Sequence, residues 1–487
     1  MFRTAEELLC SSRTALFLML LLTLLFPQLR AEDSSKLLSA RIPQDHLSTY
    51  SDLAVQWVEE YLRIDTTNPP GHELRAAQFF KDIFDREGIE NQLFEYQPGR
   101  ADFWARIPHT GNSSKRPIVL LNHMDVVTSD TTTWKVPPFS GQVVDGSIYG
   151  RGAQDMKSEA VAQLLVMVMA KHEQVRLDRD LVFLAVSDEE ADGSGTDWFL
   201  ANHQDLLGNP EFLINEGGEN LLQNEKVRFV GVDVAEKIPF WVHLVAHGRA
   251  GHGSRPIPDS APDHLVRALN RNLAYRTPYK VLPVVEEFFR DLAPNEPPER
   301  ARRFRNIKQA LHDPRFEQQV DSDESLNFLL RDTISVTMMH GSEQTNVIPS
   351  EAWANLDVRL LPGEDGKQFL RKLRRVIDDP DVRVEAVPGN FRTANSSPTD
   401  TALFSAIREV SKQYFPGVPV VPLLTSGYTE NERYRPAGIV AYGFSPYTTT
   451  DAEGSSEHGV DERIRVEEVR RGPRILFDVV MSVAAAP

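Results

Sequence analysis

A chain of 487 residues, 41% hydrophobic and 25% charged, has room for more than one domain and for a large core. Its formal charge of −17 argues against a nucleic-acid partner, because phosphate binding needs concentrated Lys and Arg. The single cysteine, Cys10, precedes an apolar run, so removal of that run would leave no disulfide and no thiolate ligand.

Arg3 and Arg13 lead into the 13-residue apolar stretch 14–26, TALFLMLLLTLLF, with a processing site near Ala31. The stretch is too short to span a bilayer comfortably and reads as a signal peptide over 1–31. An exported protein, periplasmic or secreted, with no stable membrane insertion after cleavage is therefore expected. An uncleaved N-terminal anchor is the alternative.

Residues 45–63 carry apolar side chains at helical spacing (Leu53, Trp57, Val58, Tyr61, Leu62) and end before the turn TTNPPGHE. A helix at 74–87 is followed by strands at 92–96, 103–107 and 117–121, the last running into Asn122-His123-Met124-Asp125. After a loop-rich stretch comes a long apolar helix, 158–172. The wholly apolar run 181–186, LVFLAV, is expected as a central strand of a parallel sheet, and SDEEAD follows it. A helix at 196–205 and a strand at 211–215 continue the alternation, which indicates an α/β sheet with helices on both faces.

From about residue 235 the pattern changes. Strands at 240–246, 333–339 and 352–360, with helices at 262–275 and 367–377, fit a β-α-β-β-α-β insertion of ferredoxin-like α+β type. It is placed at 236–388, as a lid between catalytic segments 32–235 and 389–487. Within it, 279–325 is rich in charge and proline, with helical pattern only in places. The first domain resumes with a helix at 400–414, strands at 418–424 and 439–443, and a final helix at 467–484.

In open α/β sheets, chemistry gathers beyond the carboxyl ends of the strands. His123-x-Asp125, Glu189-Glu190 and Glu216 each follow an expected strand, Asp155 lies in GRGAQDMK, and His458 in SSEHGVDERI. Singly, each has an ordinary explanation: a surface histidine, a solvated acidic turn, a helix N-cap at Asp155. Together they offer two imidazoles and several carboxylates at one sheet edge. That donor set suits two zinc ions, with Co2+ or Mn2+ as substitutes. Adjacent glutamates in a confined site repel unless a cation offsets them. One of the pair would ligate and its neighbour would serve as general base, while two ions would acidify a water and polarise a carbonyl.

The set His-x-Asp, GRGxxDMK, EE, Glu-Gly-Gly and a late His-Gly resembles the M20 family of di-zinc metallopeptidases and amidohydrolases. The resemblance runs from about residue 45 to the C-terminus. It implies His123 and Glu216 on one zinc, Glu190 and His458 on the other, Asp155 bridging, Asp125 orienting His123, and Glu189 as general base. It also implies a cis peptide between Asp155 and Met156. The inserted domain separates the chain from M28 aminopeptidases, which share a similar metal set but lack the lid.

GHGSRP resembles the family's lid turn, in which His252 would stabilise the oxyanion, often from the partner subunit of a homodimer formed through the lid. Taken alone, a histidine in a glycine turn reads as exposed. TNVIP and LDVRLLP match lid strands, implying that Asn346 hydrogen-bonds substrate and that Arg359 pairs with its carboxylate. A structural salt bridge is the alternative for Arg359. One departure stands out: where many members carry a GGTDxR-like turn, this chain has Ser426-Gly427-Tyr428-Thr429-Glu430-Asn431-Glu432-Arg433. The expected activity is metal-dependent hydrolysis of an amide bond in a small peptide or N-acyl amino acid. An aminopeptidase-type exopeptidase and a non-catalytic peptide- or metal-binding protein on the same scaffold are the alternatives.

Overall fold

The computed structural model describes residues 37–388 and 396–486. The expected signal peptide and Cys10 lie outside the described residues. Among those described, no helix is long and apolar enough to cross a membrane.

The chain opens with α1 (Gln44–Leu62), α2 (Glu73–Arg86), β1 (Glu90–Gln97), β2 (Arg100–Ile107), β3 (Ile118–His123), α3 (Lys157–His172), β4 (Leu181–Val186) and α4 (Ser194–His203). Next come β5 (Phe212–Asn215), β6 (Val230–Glu236), β7 (Val242–His247), α5 (Ala261–Ala274), α6 (Pro283–Leu292), α7 (Pro298–Arg305), α8 (Pro314–Ser322) and α9 (Glu324–Leu330). Then follow β8 (Thr333–His340), β9 (Glu351–Leu360), α10 (Gly366–Ile377), β10 (Val382–Ala386), α11 (Ala402–Tyr414), β11 (Val420–Thr425), β12 (Val440–Gly443) and α12 (Val466–Ala484), with shorter elements between them.

The large sheet is mixed, in the order β1-β2-β4-β3-β5-β12-β6-β11. β4 shows why it is central. Leu181, Phe183 and Ala185 point into the core beneath α2 and α3, whereas Val182, Leu184 and Val186 join a second core with Phe199 on the opposite face. A strand covered on both sides must be apolar at every position, and each such large side chain contributes roughly 1.5–3 kcal/mol on burial. β4, β3 and β5 are parallel neighbours, so their carboxyl ends lie side by side. That alignment brings His123, the 188–190 turn and Glu216 to one edge.

The smaller sheet runs β8-β9-β7-β10 with every pair antiparallel, and α5 and α10 pack on it around Leu265, Leu269, Phe369, Leu373 and Ile377. The chain order β7-α5-β8-β9-α10-β10 is ferredoxin-like, completed by β10. Asp365 caps α10 by accepting the backbone N–H of Lys367 at 2.8 Å.

Helices α6 to α9 fall inside the 236–388 span but bury Val285, Phe289, Phe304, Val320 and Leu330 in the large core, not the small one. They look irregular in sequence because they are short and three begin at a proline, Pro283, Pro298 and Pro314. Proline has no N–H to lose at a first helical position, so these prolines start helices where they suggest loops.

Candidate metal centre

His123 and Glu216 sit at strand ends, Asp155 precedes α3, Glu190 lies in the turn beyond β4, and His458 lies in the loop before α12. His123 closes β3 and is fully buried, with Nε2 2.8 Å from Asp155 Oδ1 and 3.2 Å from Glu216 Oε2. Asp155 precedes α3, and its peptide bond to Met156 is cis. Its other oxygen, Oδ2, lies 2.9 Å from His458 Nε2, which is in turn 3.3 Å from Glu190 Oε2. Asp155 therefore stands between two imidazoles, each with a terminal glutamate. Glu457 also approaches Asp155 and His458. Glu190 is the better inner ligand, because its Oε1 is buried with no hydrogen-bond partner among the described residues. Glu189 converges with Glu216 and Glu430, with carboxylate oxygens within 4.8 Å of one another. After Glu216, Gly217 has φ +99° and a side chain there would meet Asp233 Oδ2 at 2.6 Å, so the turn requires glycine.

The electrostatics fit a cation-binding cluster. Burial, reinforced by Glu216 and Glu430, raises the Glu189 carboxyl well above the usual range. Burial also raises Glu190 and Glu216. Burial opposes a charged imidazole at His123, yet Glu216 and Asp155 outweigh it and raise its pKa. The hydrogen bonds to Asp155 and Glu190 push His458 up to about 10. Carboxylates and imidazoles that share protons so tightly are groups a divalent ion binds by displacing those protons. The nitrogen and oxygen donors and the orphaned Glu190 Oε1 fit such an ion.

Asp125 does more than expected of it. His123 Nδ1 lies 3.0 Å from the Asp125 backbone carbonyl but 3.7 Å from its carboxylate, so the carbonyl is the closer orienting group. The carboxylate instead accepts the backbone N–H of Glu189 and of Glu190, each at 3.1 Å. Asn68 donates 2.8 Å bonds to both Asp125 and Asp188, and Arg100 joins Asp188 at 2.5 Å to Glu73 at 2.8 Å. Asp188, which has no role readable in the sequence, adopts φ +72° and makes the turn that presents Glu189 and Glu190. On the far side, Glu462 accepts the N–H groups of Gly152 and Gln154 and pairs with Arg151 at 2.5 Å, while Arg151 donates to the carbonyls of His458 and Gly459. No sequence motif marks Asn68, Arg100, Arg151 or Glu462 as site residues. The cue for Asn68 is a polar residue before two prolines, both in cis bonds.

The lid residues are placed differently. His252 is exposed on a two-residue strand, Gly251–His252, paired with Val347–Ile348, and its Nδ1 accepts from Ser254 Oγ at 2.8 Å. Asn346 is its neighbour across this ribbon and accepts the Gly253 N–H at 2.7 Å. Neither takes part in the hydrogen bonds of the ligand cluster described above. Arg359 pairs along its own strand with Asp357, at 2.8 and 3.2 Å. Arg433 donates to Asp197 and to the Asp192 carbonyl, and Glu430 is buried beside Asn215 and Thr196.

A mixed α/β sheet with paired His-carboxylate clusters at its strand ends, and a ferredoxin-like insert, defines the class of M20-type metallohydrolases. The profile described as Peptidase family M20/M25/M40 matches residues 119–482, and the chain belongs to that family. Rat Aminoacylase-1B is 27% identical over 443 residues, covering 89% of this chain and 96% of its own. Human N-fatty-acyl-amino acid synthase/hydrolase PM20D1 is 26% identical, covering 76% of this chain and 74% of its own. Among solved structures, the M20 metallo-carboxypeptidase Sso-CP2 of Sulfolobus solfataricus superposes with TM-score 0.66 at 18% identity, covering 88% and 98% of the two chains. Human carnosine dipeptidase 1 superposes at 0.62 and 17% identity, covering 90% and 97%. The protein is an enzyme of the M20 hydrolases, of peptidase or aminoacylase type.

Proposed function

We propose that the enzyme hydrolyses the amide bond of a small peptide or N-acyl amino acid, with Glu189 as general base beside two divalent ions, zinc foremost. The observation that carries this reading is the placing of the Glu189 carboxylate against Glu216 and Glu430, one residue from Glu190 and on a backbone held by Asp125. His123, Asp155 and Glu216 would hold one ion, and Asp155, Glu190 and His458 the other. Bound there, the ions would acidify a water and polarise the scissile carbonyl.

Glu189 takes a proton from the attacking water and delivers it to the leaving amine, a task that suits a carboxyl whose pKa burial raises. His252, in a homodimer formed through the lid, stabilises the oxyanion as a preorganised donor. The names of these relatives support acyl amino acids as substrates, and the peptidase family itself supports small peptides. The pairing of Arg359 with Asp357 favours, as a second reading, an aminopeptidase-like activity that needs no free substrate carboxylate. Export through the 1–31 segment belongs to the same proposal.

The test is Glu189→Gln with metal analysis. Turnover falls roughly 10²–10⁴-fold while two metal equivalents remain bound; a variant with normal turnover refutes the base assignment. A screen of N-acyl amino acids and dipeptides with free and blocked carboxyl termini separates the two substrate readings.

A further inference from the structure

A cavity of about 530 Å³ lies between the outer face of α10 and the chain that leaves α5, bounded also by Asp332 and Leu361. Gln368, Arg371, Lys372 and Arg375 line it from α10, at i, i+3, i+4 and i+7, so they share one face of that helix. Phe369, which also borders the cavity, turns with Leu373 and Ile377 into the lid core. The stripe is therefore not needed to hold the helix in place.

Among the described residues, its charges are uncompensated: no ion pair joins Arg371, Lys372 or Arg375 to a carboxylate. The two carboxylates in the lining are already engaged, Glu364 with Lys280 Nζ at 2.6 Å and Asp332 with the Leu361 N–H at 2.8 Å. Three like charges within about 6 Å of helix axis repel one another. In a chain of net charge −17, such a cluster is not a reflection of composition. A further donor sits in the same wall: the hydroxyl of Tyr275 is buried without a hydrogen-bond partner among the described residues, and Lys372 Nζ lies 5.6 Å over its ring.

We propose that this cavity binds a small multivalent oxyanion, a compound bearing linked phosphoryl groups. Arg371 and Arg375 span one turn and each offers a planar fork of donors, the geometry that suits phosphoryl oxygens. Lys372 adds a point charge and Tyr275 a hydroxyl donor, while the ring of Tyr275 gives an organic part of the ligand an apolar wall. The volume exceeds that of a single phosphate. Three chain crossings between the two cores pass this cavity: residues 275–280, the Asp332 segment and Leu361. A ligand here touches the lid and its attachment together, away from the metal centre.

The experiment is calorimetric titration of the purified full chain with inorganic pyrophosphate at moderate salt. A double variant, Arg371→Ala/Arg375→Ala, is compared with Arg302→Ala/Arg305→Ala, which removes the same charge from a helix outside the cavity. The expected result is saturable binding to the unsubstituted protein, weakened at least roughly tenfold in the first variant and unchanged in the second. Hydrogen exchange slows in 275–280 and 331–333 when pyrophosphate is added. Absence of binding at millimolar pyrophosphate, or equal weakening by both variants, overturns the proposal. Circular dichroism of both variants keeps a folding defect apart from a binding one.

Discussion

The Asp125 carboxylate accepts the backbone N–H of Glu189 at 3.1 Å, and its second oxygen accepts that of Glu190 at the same distance. One side chain at the end of β3 thus holds the backbone of both glutamates at the end of β4. Asp125→Asn keeps the shape but turns one acceptor into a donor aimed at an N–H. The expected result is a fall in kcat of roughly 10–100-fold, with metal content measured by mass spectrometry largely retained.

Arg100 is the cation of the buried network behind that turn. Replacing it with methionine leaves Glu73 and Asp188 without a positive partner and destabilises the fold by roughly 3–5 kcal/mol. Denaturant titration should show a smaller loss for Arg100→Met/Glu73→Gln, because one uncompensated carboxylate is then removed. Equal losses in the two variants would show that Glu73 does not contribute.

Metal removal tests the mutual repulsion of Glu189, Glu190 and Glu216. Dialysis against a chelator is expected to abolish activity and lower the thermal midpoint, and zinc or cobalt to restore both. An ion at a thousandfold excess over its Kd stabilises the folded state by about 4 kcal/mol, which a thermal scan resolves.

His252→Ala is expected to lower kcat roughly 10²–10³-fold without changing metal content, as loss of an oxyanion donor does. Steady-state kinetics with metal analysis reads both. An unchanged kcat counts against the assignment and leaves His252 as the exposed turn residue that its surroundings describe.

Lys237 carries a pH signature outside the metal centre. It is fully buried at the crossing into the lid, donating to the Arg331 carbonyl at 2.9 Å and to Thr333 Oγ1 at 3.1 Å. Burial pushes its ammonium from 10.5 down to about 7. Between those values the unfolded chain binds a proton that the folded chain does not, so this group makes stability rise with pH across that window and adds no slope below it. Chemical denaturation between pH 7 and 10 should show a rise on the order of a few kcal/mol that Lys237→Met removes.

Parts of the fold were legible because they rest on periodicity. The run LVFLAV must be a strand covered on both faces, and the β7-α5-β8-β9-α10 order of the lid follows from alternating and helical patterns. Helices α6 to α9 were not legible as part of the large core, since an amphipathic face does not say which core it will cover. The last lid strand, β10, has only five residues and exposes alternate ones, too weak a pattern to stand out.

The donor types, two histidines among clustered carboxylates, were determined by the sequence alone, because metal chemistry depends on which atoms a residue type can offer. The tertiary structure decided what faces what. Asp188 meets Arg100 across 88 residues and Asn68 across 120, and Asp125 turns its carboxylate to the Glu189 and Glu190 amides. Contacts so distant along the chain are set by the parallel register of β3 and β4 and by the turns beyond them, and no local pattern encodes that geometry.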